Sequence, residues 1–330
     1  MATIHDVAVR AGVSTATVSR ALNGKRTVDP ALVDRVVTAA RELAYEPNAL
    51  ARSLRRQETA IWALVISDIE NPFFTSIARG VEDIAQSSGY SVVLCNSDSD
   101  PHKEREYLRV ALQERVAGLV LSPTTTQTDV SKLAEHGIPM VAIDRPLGRP
   151  TADTVLIGSR DGARRATAHL LTQGYRHVAC LTGREGAPGA DERLAGYRDA
   201  LQAAGRPPSD ASVRRANSRV NGGYVAAMEL LTGPQPPDAL FVASAPLAVG
   251  ALEALANLGL RSGRDVGIVA FDDAPWTRLV DPPLSVVTQP AYEVGQAAAQ
   301  LLLDRVNGHA GGVRTMTLGA ELVVRGSSFR

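Results

Sequence analysis

At 330 residues, 45% hydrophobic and only 4% aromatic, the chain is long for one domain. It suits a small domain followed by larger α/β lobes with Ala/Val/Leu-rich parallel sheets, and it argues against an aromatic-rich sandwich. No apolar run approaches the roughly 18 residues needed to span a bilayer, and Met1-Ala2-Thr3-Ile4-His5-Asp6 lacks the basic and apolar regions of a secretion signal. The expectation is therefore a soluble cytoplasmic protein with no membrane partner. The net charge of zero conceals an asymmetry. Residues 1–60 carry nine cations and six anions, a net of +3, and the remainder carries −3, as expected if only the N-terminal part meets a polyanion. Cys95 and Cys180 fall inside apolar runs and read as unpaired buried thiols, not as a disulfide or metal site.

Thr3 and Asp6 have the spacing of a capping box, and Val7, Ala8 and Ala11 recur at helical spacing until Gly12 breaks the run. Ser14 is a good N-cap for a second helix over 15–22, with Val18, Ala21 and Leu22 inward and Thr15, Ala16, Ser19 and Arg20 outward. Two short helices joined across Ala11-Gly12-Val13 make a helix-turn-helix. Asp29-Pro30 opens a third helix with Leu32, Val33, Val36, Val37, Ala40 and Leu43 on one face. A helix that reads DNA must offer short polar groups to base edges at its N-terminal end while its neighbours hold phosphates. Thr15 and Ala16 occupy that place.

Residues 45–56 form an unusual linker, because Asn48 can cap a helix too short, below about 12 residues, to be stable alone. Such a segment folds only against something else. From residue 61 short apolar runs alternate with amphipathic stretches. Strands are expected at 61–67, 91–96, 118–122 and 139–143, with helices near 73–88, 101–114 and 129–136. A second series has strands at 177–182, 239–243, 266–271 and 284–288, with helices near 161–173, 191–204, 221–231 and 247–258. Two βα series predict two doubly wound parallel-sheet lobes. Ligands in such sheets sit outside the carboxyl ends of the strands. Asp144 and Arg145 follow one strand end in the first series, Asp272 follows one in the second, and Arg193 begins a helix.

Catalytic signatures are missing. Gly183, Gly186 and Gly189 are spaced G-x-x-G-x-x-G, unlike a dinucleotide fingerprint, and no P-loop is present. Ser159 lacks nucleophile-elbow spacing and the histidines form no metal-ligand pair. Neither enzyme activity nor a cofactor is expected.

The runs Thr3-Ile4-His5-Asp6-Val7-Ala8, Ala11-Gly12-Val13-Ser14 and Thr17-Val18-Ser19-Arg20-Ala21-Leu22-Asn23 resemble the headpiece of the LacI/GalR family of transcriptional regulators. Ile143-Asp144-Arg145, Arg193-Leu194-Ala195-Gly196-Tyr197 and Phe271-Asp272-Asp273 are similar to family motifs whose charged positions face an effector, and Asn71-Pro72-Phe73-Phe74 is similar to the family's ligand-side loop. The resemblance implies base contacts by Thr15, Ala16, Arg20 and Arg26 and phosphate contacts by Ser14, Thr17, Ser19 and Asn23. It also implies a hinge helix that forms on the operator, bringing Asn48, Ala51, Leu54 and Arg55 to DNA with Leu54 wedged between base pairs. For the effector it implies Phe73, Phe74, Ser122, Asp144, Arg145, Arg193, Ser244 and Asp272.

The implied architecture is an all-α helix-turn-helix headpiece at 1–46, a hinge helix and linker at 47–58, and a periplasmic-binding-protein-like α/β body at 59–330. Its first lobe would comprise about 59–160 and 290–318, its second about 161–289 and 319–330, with the helix near 291–307 returning to the first. The implied function is a repressor binding double-stranded, pseudo-palindromic operator DNA as a homodimer or dimer of dimers on the nucleoid, controlled by a sugar or other polar metabolite. A transport-type solute-binding protein is the alternative that two lobes alone would permit, and a cryptic enzyme with a fused DNA-binding domain is a third. Three positions depart from the family pattern: Ser244-Ala245 stands where Asn-Asp is usual, Ser159 where Asp is usual, and Ala187-Pro188-Gly189-Ala190 where a polar run is usual.

Overall fold

A computed structural model describes residues 2–22, 28–43, 45 and 59–330 and divides the chain into two compact units, 1–59 and 60–330. In the first, helices α1 (Ile4–Ala11), α2 (Thr15–Leu22) and α3 (Pro30–Glu42) pack against one another. The Thr3 hydroxyl accepts from the Asp6 amide and the Asp6 carboxylate accepts from the Thr3 amide, completing the capping box. Gly12 ends α1 in the left-handed region at φ 63°, where a side chain would be strained, and an added Cβ would also meet the Arg35 guanidinium. Asp29 caps α3 through the Ala31 amide at 2.8 Å. Val7, Ala8, Ala11, Val18, Ala21, Val36, Ala39 and Ala40 form the small core. Leu22, Val33 and Leu43, also expected inward, are half-buried and pack against it, whereas Leu32 and Val37 are half-buried outside the cluster.

The second unit holds two sheets. The first is built from β1 (Ile61–Ile66), β2 (Ser91–Asn96), β3 (Gly118–Leu121), β4 (Met140–Ile143), β5 (Asp153–Ile157) and β11 (Thr315–Leu318), ordered β11-β5-β4-β3-β1-β2. The second is built from β6 (Val178–Thr182), β7 (Val213–Arg215), β8 (Ala239–Val242), β9 (Gly267–Phe271), β10 (Ser285–Thr288) and β12 (Glu321–Val323), ordered β12-β10-β9-β8-β6-β7. All pairings are parallel except β10–β12. Helices α4 (Pro72–Ser87), α5 (Pro101–Gln113) and α6 (Ser131–Glu135) serve the first lobe; α7 (Ser159–Thr172), α8 (Pro188–Ala203), α9 (Val220–Leu231) and α10 (Ala245–Asn257) serve the second. Both faces of each sheet are covered, which is why central strands such as Ile61–Ile66 read as continuous apolar runs.

Helix α11 (Ala291–Val306) follows a strand of the second sheet yet packs on α4 of the first lobe. The approach is backbone to backbone. A Cβ on Gly80 would lie 2.2 Å from the Tyr292 carbonyl oxygen, and one on Gly295 2.2 Å from that of Ile77, so glycine is required on both sides. The chain therefore crosses between lobes three times, through Gly158, through Gln289-Pro290 and through Gly319-Ala320. Strands β5, β7, β11 and β12 were not expected from the sequence pattern. For β7, β11 and β12 their place at sheet edges, with side chains exposed or half-buried, explains why no apolar run announces them; β5 opens on the charged Asp153. Cys180 is buried and its thiol pushed far up by burial; Cys95 is half-buried, and neither is in a disulfide.

Candidate nucleic-acid interface and interlobe cleft

The N-terminal end of α2 is organised by Ser14, whose Oγ accepts from the Thr17 amide at 3.2 Å and lies 2.9 Å from Thr17 Oγ1. The cap turns Ser14, Thr15 and Ala16 outward; Arg20 is also exposed and Thr17 and Ser19 half-buried, while Val18 and Ala21 face the core. Short polar side chains at the exposed end of the second helix, beside the cationic Arg20, suit base edges and phosphates. Asn23, Arg26, Asn48, Ala51, Leu54 and Arg55 lie outside the described residues.

In the body, a cleft of ≈ 120 Å³ lies between the lobes at the carboxyl ends of the strands. Asp144 follows β4 with φ 63° and Asp272 follows β9 with φ 77°, a left-handed conformation that Asp adopts more readily than most residues. The Asp144 amide donates to the Val155 carbonyl and the Asp272 amide to the Val287 carbonyl, 3.0 and 2.9 Å respectively. Each aspartate thus ends its strand in the same turn and lines the cleft from its own lobe.

Their partners differ. Asp144 pairs with Arg145 at 3.2 Å, and Arg145 Nη1 is held by the carbonyls of Pro123 and Thr124. Asp272 accepts from the Ala245 amide at 3.3 Å and from Gln289 Nε2. It thereby serves the start of α10, where Ser244 makes no side-chain cap; the buried Ser244 Oγ has no hydrogen-bond partner among the described residues. Arg193 lies 4.1 Å from the Phe271 ring centre, donating to the Ala243 carbonyl at 2.7 Å and to Gln289 Oε1 at 3.2 Å. Its buried Nε is likewise unpartnered. Buried polar atoms left unpaired are costly, and here they mark where a ligand's own polar groups would go.

Phe73 and Phe74 both line the cleft, edge to face with centroids 5.0 Å apart. Ser122 is the correction among the expected cleft residues. It is fully buried behind the lining, its Oγ 2.9 Å from that of Ser67, and Ser67 reaches the cleft instead. Asn71, Ser218 and Gln289 also line it. Asn71 belonged to a recognised motif, but a lone Gln or Ser after a strand carries no sequence signal. Among the described residues no group of His, Cys, Asp and Glu could hold a metal ion, and no helix is long and apolar enough to cross a membrane.

Residues 3–48 match the pattern of bacterial regulatory proteins of the lacI family, and residues 167–328 that of periplasmic binding protein-like domains. The HTH-type transcriptional repressor CytR of Escherichia coli strain K12 is 34% identical over 328 residues, 99% of this chain and 96% of CytR. The chain belongs to the lacI family. The ribose operon repressor of Halalkalibacterium halodurans is 36% identical over 98% of this chain and 96% of its own length. Among solved structures, the lac repressor dimer bound to operator and the anti-inducer ONPF superposes with a TM-score of 0.88 at 27% identity, covering 100% of this chain and 99% of that one. The transcriptional regulator CelR in complex with cellobiose gives 0.76 at 33% identity over 99% and 100%. As a lacI-family member this chain is a DNA-binding transcriptional regulator, not a transport-type solute-binding protein and not an enzyme.

Proposed function

We propose that the protein is a dimeric repressor that holds a pseudo-palindromic operator until a small neutral polyol, a sugar or a close relative, changes the closure of its lobes. The observation that carries the reading is the convergence on one cleft of Asp144 from the first lobe and Asp272 and Arg193 from the second. A ligand that bridges them has different affinity for open and closed lobes, and only such a difference moves a conformational equilibrium. Carboxylates accept from hydroxyls and guanidinium donates to them, so a polyol can satisfy both sides. The cleft is small beside the roughly 300–1,000 Å³ of pockets that take drug-sized ligands, which favours a compact ligand. The ribose operon repressors and the cellobiose complex of CelR favour a sugar as the chemical class of that ligand.

Dimerisation follows from DNA reading, because one short helix covers too few base pairs for genomic specificity. It is supported by apolar side chains left open on the single chain. Val93 and Leu94 on edge strand β2 are 49% and 40% exposed, and Leu279 is 82% exposed, the kind of surface a second copy would cover. The division of labour proposed is reader at 1–46, operator-dependent hinge at 47–58 and sensor at 59–330, acting in the cytoplasm on the chromosome.

The test is operator selection from random duplexes, followed by affinity measurement with and without each of a set of sugars that raise the melting temperature. A two-half-site operator centred on a pyrimidine–purine step, with affinity altered by one sugar, is expected; a single asymmetric half-site would refute the dimeric reading. Leu54→Ala should weaken operator binding by about 1–3 kcal/mol while leaving salt-dependent nonspecific binding unchanged, because phosphate contacts supply the latter. Equal losses on operator and random DNA would remove Leu54 from the operator centre.

A further inference from the structure

Arg219 is the N-cap residue of α9 in the second lobe, and its side chain crosses to the first. Its Nη1 donates to Glu70 Oε2 at 2.5 Å and lies 3.9 Å from Asp68 Oδ2, both carboxylates belonging to the turn between β1 and α4. Asp98, close enough to feel the Arg219 charge, is taken by Lys103 at 2.5 Å.

Both ends of this bridge stand on short hydrogen-bonded turns. In the first lobe, Asp68 Oδ1 accepts from the Glu70 amide at 3.0 Å and Asn96 Oδ1 from the Ile69 amide at 3.1 Å. In the second, the Arg219 amide donates to the Asn217 carbonyl at 2.7 Å, and a Cβ on Gly222 would lie 1.9 Å from Asn217 Oδ1. Each charge is thus tied to its own lobe, so the separation of the pair follows the closure of the lobes. Asp68 and Ser218 line the cleft, but Glu70 and Arg219 do not. The bridge spans the rim beside the ligand's place without occupying it.

We infer that Arg219 and Glu70 form a charged latch that favours closed lobes, and so raises the affinity of the cleft for its effector without touching it. A ligand that grips both lobes and an ion pair that joins them draw on the same closure, and apparent affinity scales with the fraction of protein in the binding-competent state. Both side chains are solvent-exposed, and such a pair adds little to the stability of a fold. Acting on a hinge, the same small energy is a several-fold change in closure. Salt gives the latch its signature: an exposed ion pair is screened, whereas contacts to a neutral polyol change no net charge and respond little.

The inference rests on the polyol reading of the cleft, and the experiment separates the two. Full-length wild type, Arg219→Glu, Glu70→Arg and the double reversal would be titrated calorimetrically with D-ribose, D-glucose and cellobiose, after a thermal melt confirms that each is folded. Arg219→Glu, which sets a carboxylate against Glu70 and Asp68, should raise the Kd of the sugar that binds wild type about tenfold, and the double reversal should return it to within about threefold of wild type. Wild-type Kd should itself rise about threefold between about 0.05 and 0.5 M sodium chloride, a test that needs no variant. Damage to the fold does not explain rescue by a second charge reversal. A wild-type Kd in Arg219→Glu, or a double reversal that binds no tighter than Arg219→Glu, would overturn the latch while leaving the polyol reading intact. No binding of any of the sugars to any of the proteins would overturn both.

Discussion

The two lobes are the same sheet built twice. Exchanging β1 to β5 for β6 to β10 and β11 for β12 turns one strand order into the other, and Asp144 and Asp272 fall at equivalent strand ends with the same left-handed turn and the same amide-to-neighbour bond. The differences lie in what surrounds that plan. Strand β11 is parallel to β5 but β12 is antiparallel to β10, because both sheets point their carboxyl ends at the cleft and a chain running straight across must leave the second sheet against its grain. In the first lobe the cleft aspartate is neutralised by an adjacent arginine; in the second it is engaged by amides, and the arginine stands free of any carboxylate partner among the described residues. A shared scaffold therefore carries two unequal halves of one cleft.

Each lobe also secures the returning C-terminal segment with a buried Asp–Arg clamp, and breaking the first should have the largest effect. Asp153, at the start of β5, has a side chain with no exposed surface and accepts from Arg305 and Arg314, including the Arg314 backbone amide. Burial would raise its pKa, but the Arg305 side chain and the Arg314 amide and side chain outweigh it and hold the carboxyl at about 2, down from 3.8. Asp153→Ala leaves two clustered guanidinium groups without that partner and should cost about 3–5 kcal/mol in urea unfolding. A depressed folded-state pKa stabilises above the unfolded value and is lost as pH falls through the folded one. Wild type should therefore shed roughly 2 kcal/mol of this contribution between about pH 4 and pH 2, a decline missing from Asp153→Ala. In the second lobe Arg325 grips Asp273 at 2.7 and 2.9 Å and, against the opposing effect of burial, helps hold its carboxyl well below the usual range. A loss below about 1 kcal/mol for Asp153→Ala would mean that the first clamp is not the counterpart of the second.

The unequal halves predict an unequal response in the cleft. Arg193→Ala and Asp272→Ala should fold, dimerise and bind operator, yet lose about 100-fold in effector affinity, the scale of hydrogen bonds to charged groups. Asp144→Ala should lose less, about tenfold, because its carboxylate is already shared with Arg145 at 3.2 Å. Operator affinity with and without saturating effector is the measurement. Equal losses for Asp144 and Asp272 would show that the lobes contribute evenly, and a normal effector response in both second-lobe variants would move the regulatory site elsewhere.

Much of this plan could be read from residue order. Thr3, Asp6, Gly12, Ser14 and Asp29-Pro30 punctuate the headpiece through local capping, which sequence spacing encodes directly. The central strands announce themselves because they are buried on both faces. Asp144, Arg145 and Asp272 were reachable as cleft-lining residues because strand ends in such sheets face ligands, and Arg193 because it stands near the start of a helix that follows such an end. Strand β5 escaped notice because it opens with Asp153, a charge whose burial depends on arginines about 150 residues away. β11 escaped because Thr315, Met316 and Thr317 are exposed at an edge. Gln289 had no signature at all, since its meaning comes from Arg193 and Asp272 arriving from other elements.

The smallest expected effect tests how deep the likeness between lobes runs. Ser67 and Ser122 follow β1 and β3, and their hydroxyls bond at 2.9 Å; the equivalent positions after β6 and β8 are Gly183 and Ala243, which have no hydroxyl to share. The backbone is conserved where the side chains are not, for the Ser122 amide donates to the Val65 carbonyl and the Ala243 amide to that of Leu181, both at 2.8 Å. Ser122→Ala therefore gives the first lobe the second lobe's residue at a site whose ladder bond survives. It removes one buried hydroxyl and leaves Ser67 without its partner, so about 1 kcal/mol of stability should be lost. Effector affinity should fall no more than about threefold, because Ser122 stands behind the cleft and touches it only through Ser67. A tenfold or greater loss of effector binding, with the melting temperature unchanged, would mean that the orientation of Ser67 is itself part of recognition, and that the first lobe contributes more to the site than its neutralised Asp144 suggests.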